Sequence, residues 1–173
     1  MGRVLIYDPA LDPYHCAVRI LALVSSSTEM NIELTVDAAR IGDYFLAYPY
    51  KMLGFTFPAE FRGIRTAAKE TQNPYRHTSG DKVAFERMRP IFIAALSGLV
   101  AADLIDAHAL RQGVVKSTAH EIPSALAHAV SRFQDRQTDV GRFLLSDFLR
   151  LPTNGSNGVK HRSGLLEYRY DPA

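Results

Sequence analysis

The sequence predicts a mainly α-helical protein, folded as a single compact domain with a few short strands. With 173 residues, the chain is long enough for one ordinary hydrophobic core and too short for two, so we treat residues 1–173 as one domain. Hydrophobic residues make up 47% of the chain, and several groups of them recur at the i, i+3, i+4, i+7 spacing of a buried helix face. Candidate strands are few and short.

The charge and cysteine content exclude several classes of protein. Twenty basic and eighteen acidic residues give a net charge of +2, too small to draw the whole chain onto a phosphate backbone or an anionic membrane. The single cysteine, Cys16, excludes an internal disulfide and a multi-cysteine metal cluster. No apolar run approaches the roughly 20 residues of a membrane span, and the opening residues lack a signal-peptide pattern. We therefore expect a cytoplasmic protein.

Two helices are predicted in the first third of the chain. Asp12-Pro13 indicates the start of the first, because aspartate caps helices and proline is tolerated at the first position, and the serines at 25–27 should end it. Thr35 is expected to cap the second helix, and Pro49 to end it. The predicted buried faces are Tyr14, Ala17, Val18, Leu21 and Val24, and then Ala38, Ile41, Tyr44, Phe45 and Tyr48.

The segment at 50–81 differs from its surroundings. It contains prolines at 58 and 74, several aromatic residues and scattered basic residues, which predicts a long irregular connection with one short helix at 59–69. A connection of this length is unusual within a compact domain and is therefore a functional candidate.

The second half of the chain contains the clearest helical pattern. Apolar residues at the helical spacing are Met88, Ile91, Phe92, Ala95, Leu96 and Leu99. Pro90 is expected in the first turn of this helix, after a separate short helix at 82–87. A turn and a short strand are predicted at 112–116. Two further helices are predicted from Ile122, Leu126, Ala129, Val130 and Phe133, and from Val140, Phe143, Leu144, Phe148 and Leu151.

The ends of the chain and one late loop complete the prediction. Residues 153–163 are rich in glycine, asparagine and serine and carry Lys160 and Arg162, which predicts a flexible basic loop. Residues 165–170 have the composition of a closing strand, which could pair with a short strand or extended arm at 4–7.

The sequence contains no convincing catalytic constellation. His15 and Cys16 are adjacent, but neighbours on a helix point about 100° apart, so Cys16 is better explained as a small core residue. Asp8 and Asp12 could act as paired carboxylates or cation ligands, yet a turn and a helix cap explain them more simply. A small enzyme using Asp8, Asp12 and His15 is thus the least favoured hypothesis. We expect no catalytic residue, no metal ion and no cofactor.

Binding residues are better candidates than catalytic ones. Two Asp-Pro turns should hold the start of the first helix rigid, and the aromatic residues at 55–61 must either close the core or anchor a partner. The candidate partner-binding residues are Asp8, Tyr14, His15, Phe55, Phe57 and Phe61. The candidate residues for nucleic-acid contact are Arg62, Arg65, Lys160 and Arg162. A basic surface that is simply solvated is the commoner explanation for such residues.

Several segments resemble a known family. Residues 5–21, which read LIYDPALDPYHCAVRIL, resemble the small proteins encoded as middle components of bacterial ABC-three-component systems. FERMRPI at 85–91, LID at 104–106 and GVV at 113–115 are similar to a second block of that family. The resemblance spans the chain to about residue 118 and weakens after it.

The resemblance implies a non-enzymatic adaptor, with no catalytic residues to transfer. Its partners would be an SMC-like ABC ATPase and an effector, for which a nuclease is one candidate, in a system that defends bacteria against phage or plasmids. It also implies a winged-helix-like module. From the short apolar runs and the near-neutral charge we expect no membrane contact, and DNA binding that is weak or made through the complex. The alternative is a free-standing winged-helix DNA-binding regulator, which requires a basic recognition helix. The pattern at 88–99 carries only Arg87 and Arg89 near its start.

Overall fold

The computed structural model describes residues 7–73 and 80–166, and most of them are helical. The helices are α1 (Pro13–Glu29), α2 (Val36–Ala47), α3 (Arg62–Glu70), α4 (Asp81–Ala101), α5 (Ala107–Arg111), α6 (Ser124–Asp135), α7 (Asp139–Leu144), α8 (Asp147–Arg150) and α9 (Val159–Ser163). Short 3-10 helices lie at Pro9–Leu11, Pro49–Gly54 and Ala59–Phe61. The predicted mainly helical class is confirmed.

Helix α1 is the centre of the fold. It contacts α2, α4 and α6, and its residues 20–23 are each at most 2% exposed. A helix that is buried on all sides is expected only where neighbours surround it. The prediction that α1 ends at the serines is wrong, because the helix runs on to Glu29. The hydroxyls of Ser27 and Thr28 point back along the helix and donate to the carbonyl of Val24.

Helix α2 follows its prediction closely. The Thr35 hydroxyl accepts a hydrogen bond from the backbone N–H of Ala38, and the helix ends at Ala47, before Pro49. All five residues of its predicted apolar face are buried. A Cβ atom at Gly42 would lie 3.1 Å from Leu23 Cδ2, so glycine at this position allows α2 to approach α1 closely.

Helix α4 corrects the prediction of two helices around Pro90. The helix runs unbroken from Asp81 to Ala101 with Pro90 inside it. Proline has no N–H, so the carbonyl of Glu86, one turn earlier, has no hydrogen-bond donor from Pro90. Both residues lie on the exposed face, where water can donate to that carbonyl instead. Met88, Phe92, Ala95, Leu96 and Leu99 are buried, as the pattern predicted.

The last predicted helix is divided. Residues 139–150 form α7 and α8, which are separated at Leu145 and Ser146. Val140, Phe143, Leu144 and Phe148 nevertheless face the core together. The apolar pattern therefore identified the buried face but not the break between the helices.

Extended structure is sparse. The segment after Gly113 makes isolated antiparallel bridges, Thr35 with Val114 and Ile105 with Ser117. No strand longer than these bridges occurs in the two described ranges, which therefore contain no hairpin of the kind that forms a wing. The strands predicted at 4–7 and 165–170 lie mainly outside the described residues.

The predicted loop at 153–163 is partly helical. Its second half forms α9, which begins with buried Val159. The backbone N–H groups of Val159 and Lys160 donate to the carbonyls of Pro152 and Thr153, so the segment folds back on itself. Among residues 7–73 and 80–166, no helix is long and apolar enough to cross a membrane.

Candidate protein-binding surface

Three aromatic side chains meet at the start of α1. The ring of His15 lies between two tyrosines, with ring centroids 6.0 Å from Tyr7 and 5.9 Å from Tyr14. The tyrosines remain 59% and 55% exposed, respectively, and His15 is also exposed. We call Tyr7, Tyr14 and His15 the N-terminal aromatic patch. Exposed rings held against one another form a ready contact area for another protein.

Asp12 organises this patch. One carboxylate oxygen accepts hydrogen bonds from the backbone N–H groups of Tyr14 at 2.8 Å and His15 at 3.3 Å, capping α1. The other oxygen accepts a hydrogen bond from the Tyr7 hydroxyl at 2.8 Å. These donors, the Tyr7 hydroxyl first, lower the pKa of Asp12, while the same carboxylate raises the pKa of Tyr7. Asp12 thus caps α1 and also holds the Tyr7 side chain in place.

Asp8 performs a similar local task. Its Oδ1 accepts a hydrogen bond from the N–H of Ala10, which starts the 3-10 helix, and its Oδ2 accepts one from the Tyr48 hydroxyl at 3.0 Å. The structure therefore uses Asp8 to fasten the N-terminal turn to the end of α2.

A buried ion pair lies beneath the patch. Arg19 and Asp43 are 4% and 1% exposed, and Arg19 Nε donates to Asp43 Oδ1 at 2.6 Å. Arg19 Nη1 also donates to the carbonyl of Pro9 at 3.3 Å, so the pair connects α1, α2 and the N-terminal turn. Burial raises the pKa of the neighbouring Cys16 thiol. Cys16 is therefore protonated at neutral pH, which does not suit a nucleophile.

A cavity of about 180 Å³ adjoins the patch. It lies where the N-terminal turn, α1, the end of α2 and α6 meet, and His15 belongs to both the cavity wall and the patch. The lining residues are Asp8, Pro9, Ala10, His15, Val18, Arg19, Leu46, Ala47 and Phe133.

The three candidate phenylalanines point inward. Phe55 is 1% exposed, and Phe57 and Phe61 are partly buried. The Phe57 and Phe61 rings lie 5.6 and 5.2 Å from the ring of Phe143, and Phe55 lies 6.0 Å from Phe148. We call these five residues the aromatic cluster. It closes the core over α7 and α8, which leaves little of Phe55 for a partner.

The four candidate nucleic-acid residues fall into two groups. Arg62 and Arg65 are exposed on α3 and have no acidic partner within the described ranges. Lys160 is buried, with its Nζ 3.2 Å from Asp37 Oδ2. Arg162 donates to the carbonyls of Asn157 and Thr56, at 2.7 and 2.8 Å. The side chains of Lys160 and Arg162 are thus largely occupied by contacts within the chain.

Sequence reasoning missed the buried pair and one member of the patch. A signal for the pair was present, because Arg19 and Asp43 interrupt apolar helix faces, and charges of opposite sign on two packed helices are expected to pair. Tyr7 gave no such signal, since its contact with Asp12 depends on the fold of the turn between them. No group of three or more potential metal ligands is found in the described part of the chain.

Comparison with protein families places the chain among the middle components of ABC-three component (ABC-3C) systems. The match is to the model "ABC-three component (ABC-3C) system Middle Component 5" and covers residues 5–171, so the chain belongs to this family. It includes the region after residue 118, where the resemblance read from the sequence weakens. Comparisons with curated proteins and with solved structures found no match.

Proposed function

We propose that this chain is a non-enzymatic adaptor, which links an SMC-like ABC ATPase to an effector in a bacterial defence system. Membership of a middle-component family supports a role among other components. The proposal assigns no catalytic step to the chain, and a nuclease is one candidate for the effector.

The observation that carries the proposal is the N-terminal aromatic patch. Protein interfaces are enriched in tyrosine, and a few rigid aromatic residues often supply most of the binding free energy. Asp12 already holds the Tyr7 hydroxyl and caps the backbone at Tyr14, so the Tyr7 side chain and the Tyr14 backbone have less conformational entropy to lose on binding. The aromatic cluster, in contrast, is largely occupied within the core.

The first experiment measures binding to the ATPase encoded beside this chain. Replacing Tyr14 with alanine should weaken the complex by about 1–2 kcal/mol or more, the loss expected for an interface hot spot. The fold should survive, because the Tyr14 side chain is 55% exposed. Affinity measured by biolayer interferometry, together with a melting curve, separates the two effects.

Ile93→Ala is the matched control. Ile93 is 51% exposed on α4 and lies outside the patch, so this change should leave affinity unaltered. Equal affinities of wild type, Tyr7→Ala and Tyr14→Ala would exclude the patch as the docking surface. Failure of the wild type to bind would contradict the proposed ATPase partner.

DNA contact by this chain should be weak. Exposed Arg62 and Arg65 favour some contact with phosphates. With a net charge of only +2, the purified chain should bind duplex DNA with a Kd of roughly 10⁻⁴ to 10⁻⁶ M or weaker, and added salt should weaken it further. Arg62→Ala with Arg65→Ala should reduce this binding equally on all DNA sequences. Tight, sequence-selective binding in a fluorescence titration would instead favour the regulator.

A further inference from the structure

The N-terminal aromatic patch carries negative charge as well as exposed rings. Asp12 Oδ2 accepts a hydrogen bond from the Tyr7 hydroxyl at 2.8 Å, and this bond lies at the solvent-exposed surface. A carboxylate oxygen can accept two hydrogen bonds, so Oδ2 can accept one more from outside the chain. Asp8 adds a second carboxylate, since Asp8 and Asp12 cap the two ends of the 3-10 helix at Pro9–Leu11.

These two carboxylates lack a cationic partner within the described part of the chain. Neither Asp8 nor Asp12 forms an ion pair there with a lysine or an arginine. Arg19, which is buried beneath the patch, is paired with Asp43. The hydrogen bonds that Asp12 accepts, the one from Tyr7 first, lower its pKa, so its carboxylate is charged at neutral pH. A phosphate or carboxylate of a partner would be repelled here, whereas a cation would be attracted.

The rings of the patch also favour a cation. The contacts of His15 with Tyr7 and Tyr14 are edge-to-face, with interplanar angles of 61° and 80°. Such a contact covers at most one face of a tyrosine ring, and both tyrosines are more than half exposed. The face of an aromatic ring carries partial negative charge and attracts cations. Tyr7 is the better platform of the two, because its hydroxyl bond to Asp12 places the ring next to the carboxylate.

Arginine fits this combination better than lysine. The guanidinium group is planar, so it can stack on a ring face while the N–H groups at its edge donate to a carboxylate beside the ring. The ammonium group of lysine is compact and more strongly hydrated, and it gains less from an aromatic face that stays exposed to water.

We propose that the patch binds an arginine side chain of the ATPase, whose guanidinium stacks on the Tyr7 ring and donates an N–H to Asp12 Oδ2. Tyr14, on the other side of His15, then contacts the residues that flank this arginine. The inference rests on the proposed adaptor function and names the chemistry of the contact that the adaptor makes.

The first test needs no partner. N-acetylarginine amide is titrated into the labelled chain at constant ionic strength and followed by NMR, at tens of millimolar because exposed cation–π contacts are weak. We expect shifts of the Tyr14 and His15 backbone signals, and nuclear Overhauser effects between the arginine side chain and the Tyr7 ring. N-acetylcitrulline amide has the same shape without the charge and should give shifts at least threefold smaller. Equal shifts with both compounds, or larger shifts with N-acetyllysine amide, would overturn the proposal.

Two variants locate the response. Asp12→Asn keeps a capping oxygen but removes the charge, and Tyr7→Leu removes the ring at an exposed position. Each should reduce the shifts caused by N-acetylarginine amide at least threefold. Asp139→Asn is the matched control, because it removes an exposed carboxylate on α7, outside the patch, and should leave the shifts unchanged. If a melting curve shows that one variant is unfolded, the other decides. Unchanged shifts in either folded variant would refute the assignment.

A second test uses the complex with the ATPase. With p-benzoylphenylalanine in place of Tyr14, irradiation should cross-link the chain to a short segment of the ATPase that contains an arginine. Changing this arginine to glutamine should weaken binding at least fivefold to the wild-type chain, and clearly less to the Asp12→Asn variant, because the two changes remove the same contact.

The outcomes separate this inference from the adaptor function. Binding that is weakened by Tyr14→Ala but not by Asp12→Asn, with no arginine in the cross-linked segment, would overturn the inference and leave the adaptor function standing. A clear response of the free chain to N-acetylarginine amide, without any complex, would contradict both the adaptor function and the ATPase as the source of the arginine.

Discussion

The N-terminal aromatic patch and the aromatic cluster are both built from aromatic side chains, but the patch lies at the surface and the cluster lies mostly in the core. The patch keeps Tyr7 and Tyr14 more than half exposed, whereas Phe55 in the cluster is 1% exposed. The sequence predicts partner-binding residues in both segments. Of the two, only the patch keeps rings that are more than half exposed to solvent.

The difference depends on residues that are distant in sequence. Phe143 and Phe148, more than eighty residues later in the sequence, supply the rings against which Phe55, Phe57 and Phe61 pack. The patch residues contact one another and Asp12, and within residues 7–73 and 80–166 no ring from a later helix packs against them. Aromatic content thus marks a segment that must bury its rings somewhere, and long-range packing decides whether it does so within the chain or against a partner.

The largest expected effect is on stability, at Phe55. Phe55→Ala removes a buried ring that lies 5.9 Å from Phe45, 5.1 Å from Phe57 and 6.0 Å from Phe148. The free energy of unfolding should fall by about 3–5 kcal/mol. Tyr14→Ala should change it by no more than about 0.5 kcal/mol, as expected for an exposed site. Urea unfolding measures both, and similar losses in the two variants would remove the distinction between patch and cluster.

The ion pair beneath the patch should show a loss of similar size. Asp43→Ala leaves the Arg19 guanidinium buried without its carboxylate, which should cost about 3–5 kcal/mol of unfolding free energy. The double variant Arg19→Met with Asp43→Leu should lose clearly less than the sum of the single losses. Additive losses in urea unfolding would mean that the two charges do not act as a pair.

The sequence predicted local features well and long-range ones poorly. The caps at Asp12 and Thr35 and the apolar faces of α1, α2 and α4 depend on residues within a few turns, and the sequence predicted most of them. The exception is Tyr14, which was predicted on the buried face of α1 but is 55% exposed, because it lies in the first turn of the helix, beyond the neighbours that cover the rest of that face. The unbroken α4 at Pro90 and the division of α7 from α8 depend on exposure and packing, which the spacing of apolar residues does not encode. The same limit applies to the candidate site, where Tyr14 and Asp12 were identifiable but the inward placement of Phe55 was not.

A smaller effect concerns acid stability at the patch. The pKa of Asp12 lies below its ordinary value of 3.8 in the folded chain, so the carboxylate stabilises the fold above that ordinary value, and the contribution is lost as the pH falls through the lowered pKa. Asp12→Asn keeps a capping oxygen but cannot titrate. Between pH 5 and about pH 2, the variant should therefore lose less stability than the wild type. Urea titrations across this range measure the stability of both proteins. If the wild type and the variant lose equal stability, the charge of Asp12 does not stabilise the fold.

The most direct test of the account is a three-component co-purification. The tagged ATPase, the effector and this chain are co-expressed, and the effector retained with the ATPase is measured with and without the chain. We expect the effector to be retained only when the chain is present, and Tyr14→Ala to reduce retention while Ile93→Ala does not. Equal retention of the effector in the absence of the chain would contradict the adaptor function.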